Sequence, residues 1–187
     1  MNFGFFYYTL DGMWRYWGIR PTKPIHKIGD EKVMIFTAFS IKGLVLMDVL
    51  PKNTSFTAEY FTNNILAQFE SSANNMKGVL PGIKIRLYME NAKPHNEKLS
   101  KEKMEQLLIE RLPHPAYSPD ISPNDFFLNG YIKNKLKGKA FKSREALIDA
   151  IVEIIQKIEK NVWISVYDEW IRRLQEVIDN NGKYTHK

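Results

Sequence analysis

IKIRLYME, residues 83–90, alternates apolar with polar or aromatic side chains and then stops on an acid. Alternation with period two marks a strand with one buried face. A strand whose C-terminal end carries a carboxylate sets an acid at a sheet edge, and Glu90 holds that place. Upstream, KVMIFTAFS (32–40) and GLVLMDVLP (43–51) are β-rich runs that meet at Ile41-Lys42-Gly43, the pattern of a hairpin. FGFFYYT (3–9) reads as a short aromatic strand. After the turn signal Asp11-Gly12, MWRYWGI (13–19) reads as a strand returning from it. RPTKPIHKIGDEK (20–32), rich in Pro, Gly and Lys, is a loop. A helix is expected from Thr54 or Ser55, with Phe61, Ile65 and Phe69 as its apolar stripe and 71–75 as its end.

Downstream of Glu90 the pattern turns helical. A short helix is expected with Met104, Leu107 and Leu108 on one face. RLPHPAYSP (111–119) is extended, because each proline restricts itself and the residue before it. Pro123 sits where an N-terminal helix proline belongs, and DFFLNGYIKNKLKG carries that helix to Gly138. Two further stripes, Leu147 to Ile158 and Trp163 to Val177, mark C-terminal helices, with Gly182 as the cap. Strands, helix, strand, helix, extended segment and helices predict an α/β domain with a mixed sheet of about five strands.

Composition narrows the partners. The 187 residues fit one domain, the net charge is +6 and the pI is near 9.3, which favours a polyanion. The chain has no cysteine, which excludes disulfides and thiol chemistry. No apolar run is long enough to span a membrane and no signal-peptide pattern opens the chain, so no membrane partner is expected. The four histidines lack zinc-ligand spacing, and Trp163 and Trp170, seven apart, read as core rather than base-stacking residues.

YSPDISPNDFF (117–127) adds Asp120 and Asp125. In an α/β sheet the strand ending at Glu90 and the helix beginning near Asp125 can be neighbours, and converging carboxylates suit magnesium. From spacing alone the first reading of Asp125 is a carboxylate favoured by the helix dipole, and of Glu90 a solvated strand end.

MENAKPH (89–95) followed by HPAYSPDISPNDFFL (114–128) resembles the catalytic domain of mariner-type DNA transposases, which carry Asp-Asn-Ala-x-x-His and then Tyr-Ser-Pro-Asp-x-x-Pro-x-Asp. Between Glu90 and Asp125 lie 34 residues, the mariner interval. FYYTLDGMWRYWG, FSIKGLVLMDVLP, KLKGKAFKS and EWIRRLQEVIDNNGKY resemble other mariner segments in the same order. The resemblance implies a ribonuclease H-like fold over the chain, with a core at 1–142 and C-terminal helices at 143–187. It implies DNA cleavage at transposon ends and strand transfer into target DNA, in the nucleus, by a possible homodimer. Two Mg2+ or Mn2+ ions would serve that chemistry. Glu90 and Asp125 take the places of the second and third metal-binding acids, with Asn91, His95 and Asp120 supporting the motifs.

Two departures predict an inactive or nearly inactive copy. The family's first acid is expected at or before Met1, along with an upstream helix-turn-helix region. The second acid is Glu90 instead of Asp, and its extra methylene moves the carboxylate by about 1 Å where about 0.5 Å is tolerated. A misplacement of that size costs about a hundredfold in rate. Lys133, Lys135, Lys137, Lys139, Lys142 and Arg144, with Lys133 and Lys137 on one helical face, are expected to contact DNA, as are Lys23 and Lys27 in the 20–32 loop. The alternative from another class is a non-catalytic DNA-binding or self-associating protein that retains the fold. A compact nuclease using Asp48 as a substitute ligand is a third reading.

Overall fold

The structure, a computed structural model, describes residues 2–8, 33–70, 85–139 and 141–182. Five strands form one sheet: β1 Asn2–Tyr8, β2 Val33–Ser40, β3 Gly43–Val49, β4 Ile85–Met89 and β5 Ile109–Leu112. Their order is β3-β2-β1-β4-β5. β1 pairs antiparallel with β2, from Asn2↔Phe39 to Tyr8↔Val33, and parallel with β4 through Asn2↔Tyr88 and Phe3↔Met89. The expected mixed five-stranded sheet is therefore present.

The β2–β3 hairpin turns where the sequence placed it. Ile41 and Lys42 form the turn, and Gly43 at φ 117° takes a backbone conformation that a side chain would strain. β5 is a strand that the extended reading of 111–119 did not name. It begins at Ile109, pairs in parallel with β4 from Ile85↔Ile109 to Tyr88↔Leu112, and closes a β-α-β unit. Leu108 is not on the preceding helix's apolar face. It takes φ 55° and is 71% exposed, because the chain must turn sharply to enter β5.

Each sheet face carries its own core, as the period-two pleat requires. On one face Phe36, Leu87 and Met89 pack against Phe61, Ile65 and Phe69 of helix α1 (58–70) and Met104 of α3 (Lys98–Gln106). α1 begins at Ala58, three or four residues later than expected, because Thr57 is its N-cap and accepts from the Tyr60 N–H. A one-turn helix, α2 (Lys93–Asn96), lies between β4 and α3.

On the opposite face Val33, Ile35 and Phe39 pack against three C-terminal helices. These are α4 (124–136), whose first turns, Asn124–Leu128, are π-helical; α5 (Arg144–Gln156); and α6 (Lys160–Asp179). Trp163 is 3% exposed and 4.9 Å from Phe39, so it is a core residue as expected. At the end of α6, Asn181 at φ 53° makes the left-handed turn and Gly182 follows at φ 83°. The Gly182 N–H reaches back to the Val177 carbonyl. The segments 13–19, 20–32 and 71–75 lie outside the described residues. Among the described residues no helix is long and apolar enough to cross a membrane.

Candidate active site

β4 ends at Met89, so Glu90 stands on the sheet's C-terminal edge, and the chain turns at once into α2. His95 of α2 is fully buried between Phe56 and Phe61, with ring centroids 5.7 and 4.7 Å away. Its Nδ1 lies 3.2 Å from the Glu90 carbonyl, and since a carbonyl only accepts, that nitrogen carries the proton. Burial pushes the imidazole down from 6.5 to about 4, so it is neutral and serves as a fixed donor.

Arg111 of β5, which the sequence reading missed, holds the same turn. Its guanidinium donates to the Glu90 carbonyl at 3.1 Å, to Asn91 Oδ1 at 3.0 Å and to Asn96 Oδ1 at 2.5 Å. The Asn91 amide donates in turn to the His114 carbonyl at 2.6 Å, tying the β4 exit to the segment after β5. No clear signal marked it, because its strand, IERL, is half charged and shows no alternation.

The second acid arrives from the other chain segment. After β5, Tyr117 turns the chain at φ 54°, and Pro119 opens a single 3-10 turn, Pro119–Ile121. The Asp125 N–H then donates to the Ser122 carbonyl at 2.8 Å as α4 opens, and Asn129 donates to Asp125 Oδ1 at 3.0 Å. Asp120 helps to anchor this turn through its carbonyl, which accepts from Arg173 of α6 at 2.8 Å. The Arg173 guanidinium also lies over the Phe126 ring at 4.4 Å.

Glu90, Asn91, His114, Pro119 and Asp125 line one cavity of about 410 Å3. Burial first, and the Asp125 charge second, push the Glu90 carboxyl up from 4.5 to about 7. Glu90 Oε1 is buried with no hydrogen-bond partner. Two acids from different elements thus face one space, and a hard divalent cation would offset both their repulsion and the desolvation of Glu90. Among the described residues no group of three or more His, Cys, Asp or Glu side chains could hold a metal ion.

Asp48 cannot complete the set. β2 and β1 separate its strand from β4, and Tyr60 donates to its carboxylate at 2.6 Å. The compact-nuclease reading is therefore corrected. The basic residues lie apart from the acids in character as well as in sequence. Lys133, Lys135, Lys137, Lys139 and Lys142 are exposed. Lys137 does not share a helical face with Lys133, because α4 ends at Leu136 and Lys137 leaves it at ψ 129°. Arg144 is half-buried and donates to the Leu50 carbonyl at 2.5 Å, so it ties α5 to the end of the β3 segment. Lys23 and Lys27 lie outside the described residues.

A mixed sheet in the order β3-β2-β1-β4-β5, with acids at the β4 exit and the head of α4, defines a ribonuclease H-like fold of the mariner-transposase catalytic type. The chain is a homologue of two curated proteins. It is 29% identical over 168 residues to the histone-lysine N-methyltransferase SETMAR of Homo sapiens, covering 87% of this chain and 23% of SETMAR. It is 29% identical over 96 residues to the Mariner Mos1 transposase of Drosophila mauritiana, covering 51% of this chain and 28% of the transposase. The chain thus matches about a quarter of the length of each relative. No family model matches it.

Among solved structures, the Mos1 transposase catalytic domain with raltegravir and Mg superposes with TM-score 0.77 at 17% identity, over 99% of this chain and 84% of that one. The Mos1 paired-end complex with the left transposon end superposes with TM-score 0.79 at 18% identity, over 99% of this chain and 56% of that one.

Proposed function

We propose that this chain is a DNA-acting transposase-type catalytic domain of the nucleus with an incomplete acid set. It binds DNA and a divalent cation but cleaves DNA poorly or not at all. The observation that carries this reading is the shared cavity of Glu90 and Asp125, two acids brought from β4 and α4 to one place. The Mos1 complexes with transposon-end DNA and with Mg support the same partners here. One domain, with 143–187 as its helical extension, is the organisation we infer.

Glu90 and Asp125 would hold Mg2+ or Mn2+, with Arg111, His95 and Asn91 fixing the backbone that presents Glu90. When bound, such an ion lowers the cost of charge on the attacking and leaving oxygens of a phosphodiester. The exposed lysines from Lys133 to Lys142 would meet phosphates and position the strand without reading its sequence. With Glu90 in place of the shorter acid, the carboxylate reaches about 1 Å too far, which costs about a hundredfold in rate.

A nicking assay on supercoiled DNA in Mg2+ or Mn2+ tests this reading. Cleavage should stay within about tenfold of the Asp125→Ala background, and rapid cleavage abolished by that substitution would refute the claim of impairment. A second reading, self-association without catalysis, is favoured by one observation. Ile164, Tyr167, Ile171 and Ile178 of α6 are 41%, 44%, 45% and 68% exposed, at intervals of three, four and seven. Light scattering of the purified chain distinguishes a monomer from the dimer that such a face would form.

A further inference from the structure

Two adjacent arginines of α6, Arg172 and Arg173, face different ways, because each residue turns an α-helix by about 100°. Arg172 stays on its own helix. Its guanidinium pairs with Glu169 at 2.7 Å and with Glu176, and its side chain is 52% exposed. Arg173 points inward, at 17% exposure. Glu169 accepts from its Nε at 2.7 Å and so fixes the plane of the guanidinium. Its Nη1 then reaches the Asp120 carbonyl at 2.8 Å, and its flat face covers the Phe126 ring at 4.4 Å. Asp120 and Phe126 flank Asp125 along the chain, so one side chain of α6 grips the segment of that acid on both sides.

That segment needs a hold from outside. α4 opens with the π-helical turns Asn124–Leu128, and its N-cap residue is Pro123, whose side chain can accept no hydrogen bond. The Asp125 and Phe126 N–H groups both turn to the Ser122 carbonyl, at 2.8 and 2.9 Å, so the head of α4 depends on where the preceding turn Pro119–Ile121 sits. α6 lies against that turn. Trp170, three residues before Arg173 and on the same face of α6, meets the strand of the other acid. Its ring lies 4.8 Å from that of Tyr88, which is 3% exposed and stands two residues before Glu90. Tyr88 in turn meets the His114 ring edge-on at 4.9 Å, and His114 lines the cavity of Glu90 and Asp125.

We infer that α6 braces the cation site, and that Arg173 is a positioning residue which sets Asp125 in its place facing Glu90. α6 holds the Asp125 side through Arg173 and backs the Glu90 side through Trp170 and Tyr88. The C-terminal helix is therefore part of the site although it supplies neither acid. This rests on the reading of Glu90 and Asp125 as cation ligands. Electrostatics gives the test a sign. Removing a positive charge near a bound cation would, by Coulomb's law alone, tighten its binding. Removing a group that orients a metal ligand weakens it, by about 10–100-fold.

Two measurements on the whole chain test the inference, with Arg173→Met set against Arg172→Met, which removes the same charge one residue away. Mn2+ binding is followed by the loss of the free-ion electron paramagnetic signal. It should weaken at least about tenfold in Arg173→Met and stay unchanged or tighten in Arg172→Met. Unchanged or tighter binding by Arg173→Met, or equal weakening in both variants, overturns the proposal. Amide hydrogen exchange, read by nuclear magnetic resonance, follows the brace without any metal. In Arg173→Met the Asp125 and Phe126 N–H groups should exchange about tenfold faster or more, while the Leu147 N–H, which bonds the Ser143 carbonyl at the head of α5, keeps its rate. Unchanged exchange at Asp125 and Phe126, or equal acceleration at Leu147, overturns the proposal. Should that variant not fold, Arg173→Lys is read in the same way, since it keeps the charge but not the flat stack on Phe126. An unsubstituted chain that binds no Mn2+ would sink the functional reading, and the exchange comparison would still decide on the brace.

Discussion

Arg111 bonds three acceptors around the turn that presents Glu90, and two of them are side-chain amides. Charge-assisted hydrogen bonds contribute about 1.5–3 kcal/mol each before solvent competes, and acceptors left without a donor add to the loss. Arg111→Met, which keeps the stem, is expected to lower stability by about 2 kcal/mol in urea unfolding and to loosen Glu90. His95 makes a separate prediction through its proton. Its folded pKa of about 4 lies below the ordinary 6.5, so between those values the unfolded chain takes up a proton that the folded chain refuses. The His95 contribution is therefore complete above about pH 6.5 and is lost as the pH drops toward 4, by on the order of 3 kcal/mol, while the raised Glu90 carboxyl acts in the opposite direction between about 7 and 4.5. Urea unfolding of the unsubstituted chain and of His95→Gln across that range isolates the His95 part: the stability difference between the two should shrink as the pH falls, and a difference constant with pH would show that the imidazole is not held neutral by burial.

At the scale of elements, period and caps decide where the helices lie. Ser143 is the N-cap of α5, its hydroxyl accepting from the Ala146 N–H at 3.1 Å. Leu147, Ile151 and Ile155 then recur at four-residue intervals and are 2%, 1% and 1% exposed. Ser143→Ala is expected to cost about 1 kcal/mol. Ile151→Ala is expected to cost about 2–5 kcal/mol, since it opens a cavity between α5 and the sheet. Thermal unfolding would rank the two, and the reverse order would mean that α5 is held by its cap rather than by its buried face. The hairpin, the stripe of α1 and the entry to α4 were legible for the same local reasons. β5 was not, because four residues that include a Glu and an Arg have no clear alternation, and only pairing with β4 makes them a strand.

For the whole molecule, the basic charge makes DNA binding salt-dependent. Each phosphate contact adds about −0.9 to the slope of log K against log salt. If the five exposed lysines of the 133–142 stretch each meet one phosphate, filter binding should give a slope near −4 to −5. Lys133→Gln/Lys135→Gln should reduce its magnitude by about 2. A slope unchanged by that pair would move the DNA interface elsewhere. Arg144 is not counted, since its guanidinium already serves the Leu50 carbonyl.

The sequence by itself determined the strand leading to Glu90, the helical stripes, the basic stretch, and the two acids with 34 residues between them within mariner-like motifs. These are local patterns, set by side-chain period, caps and proline, and they survive without knowledge of what packs on what. Only the tertiary structure decided that Glu90 and Asp125 face one cavity, that Arg111 holds the turn at the β4 exit, and that two strands separate Asp48 from β4 while Tyr60 engages it. The register that pairs Asn2 with Tyr88 and Phe3 with Met89 also belongs to the fold. Strand register between segments more than eighty residues apart leaves no local periodic trace, because backbone hydrogen bonds are alike at every step and only packing selects one alignment.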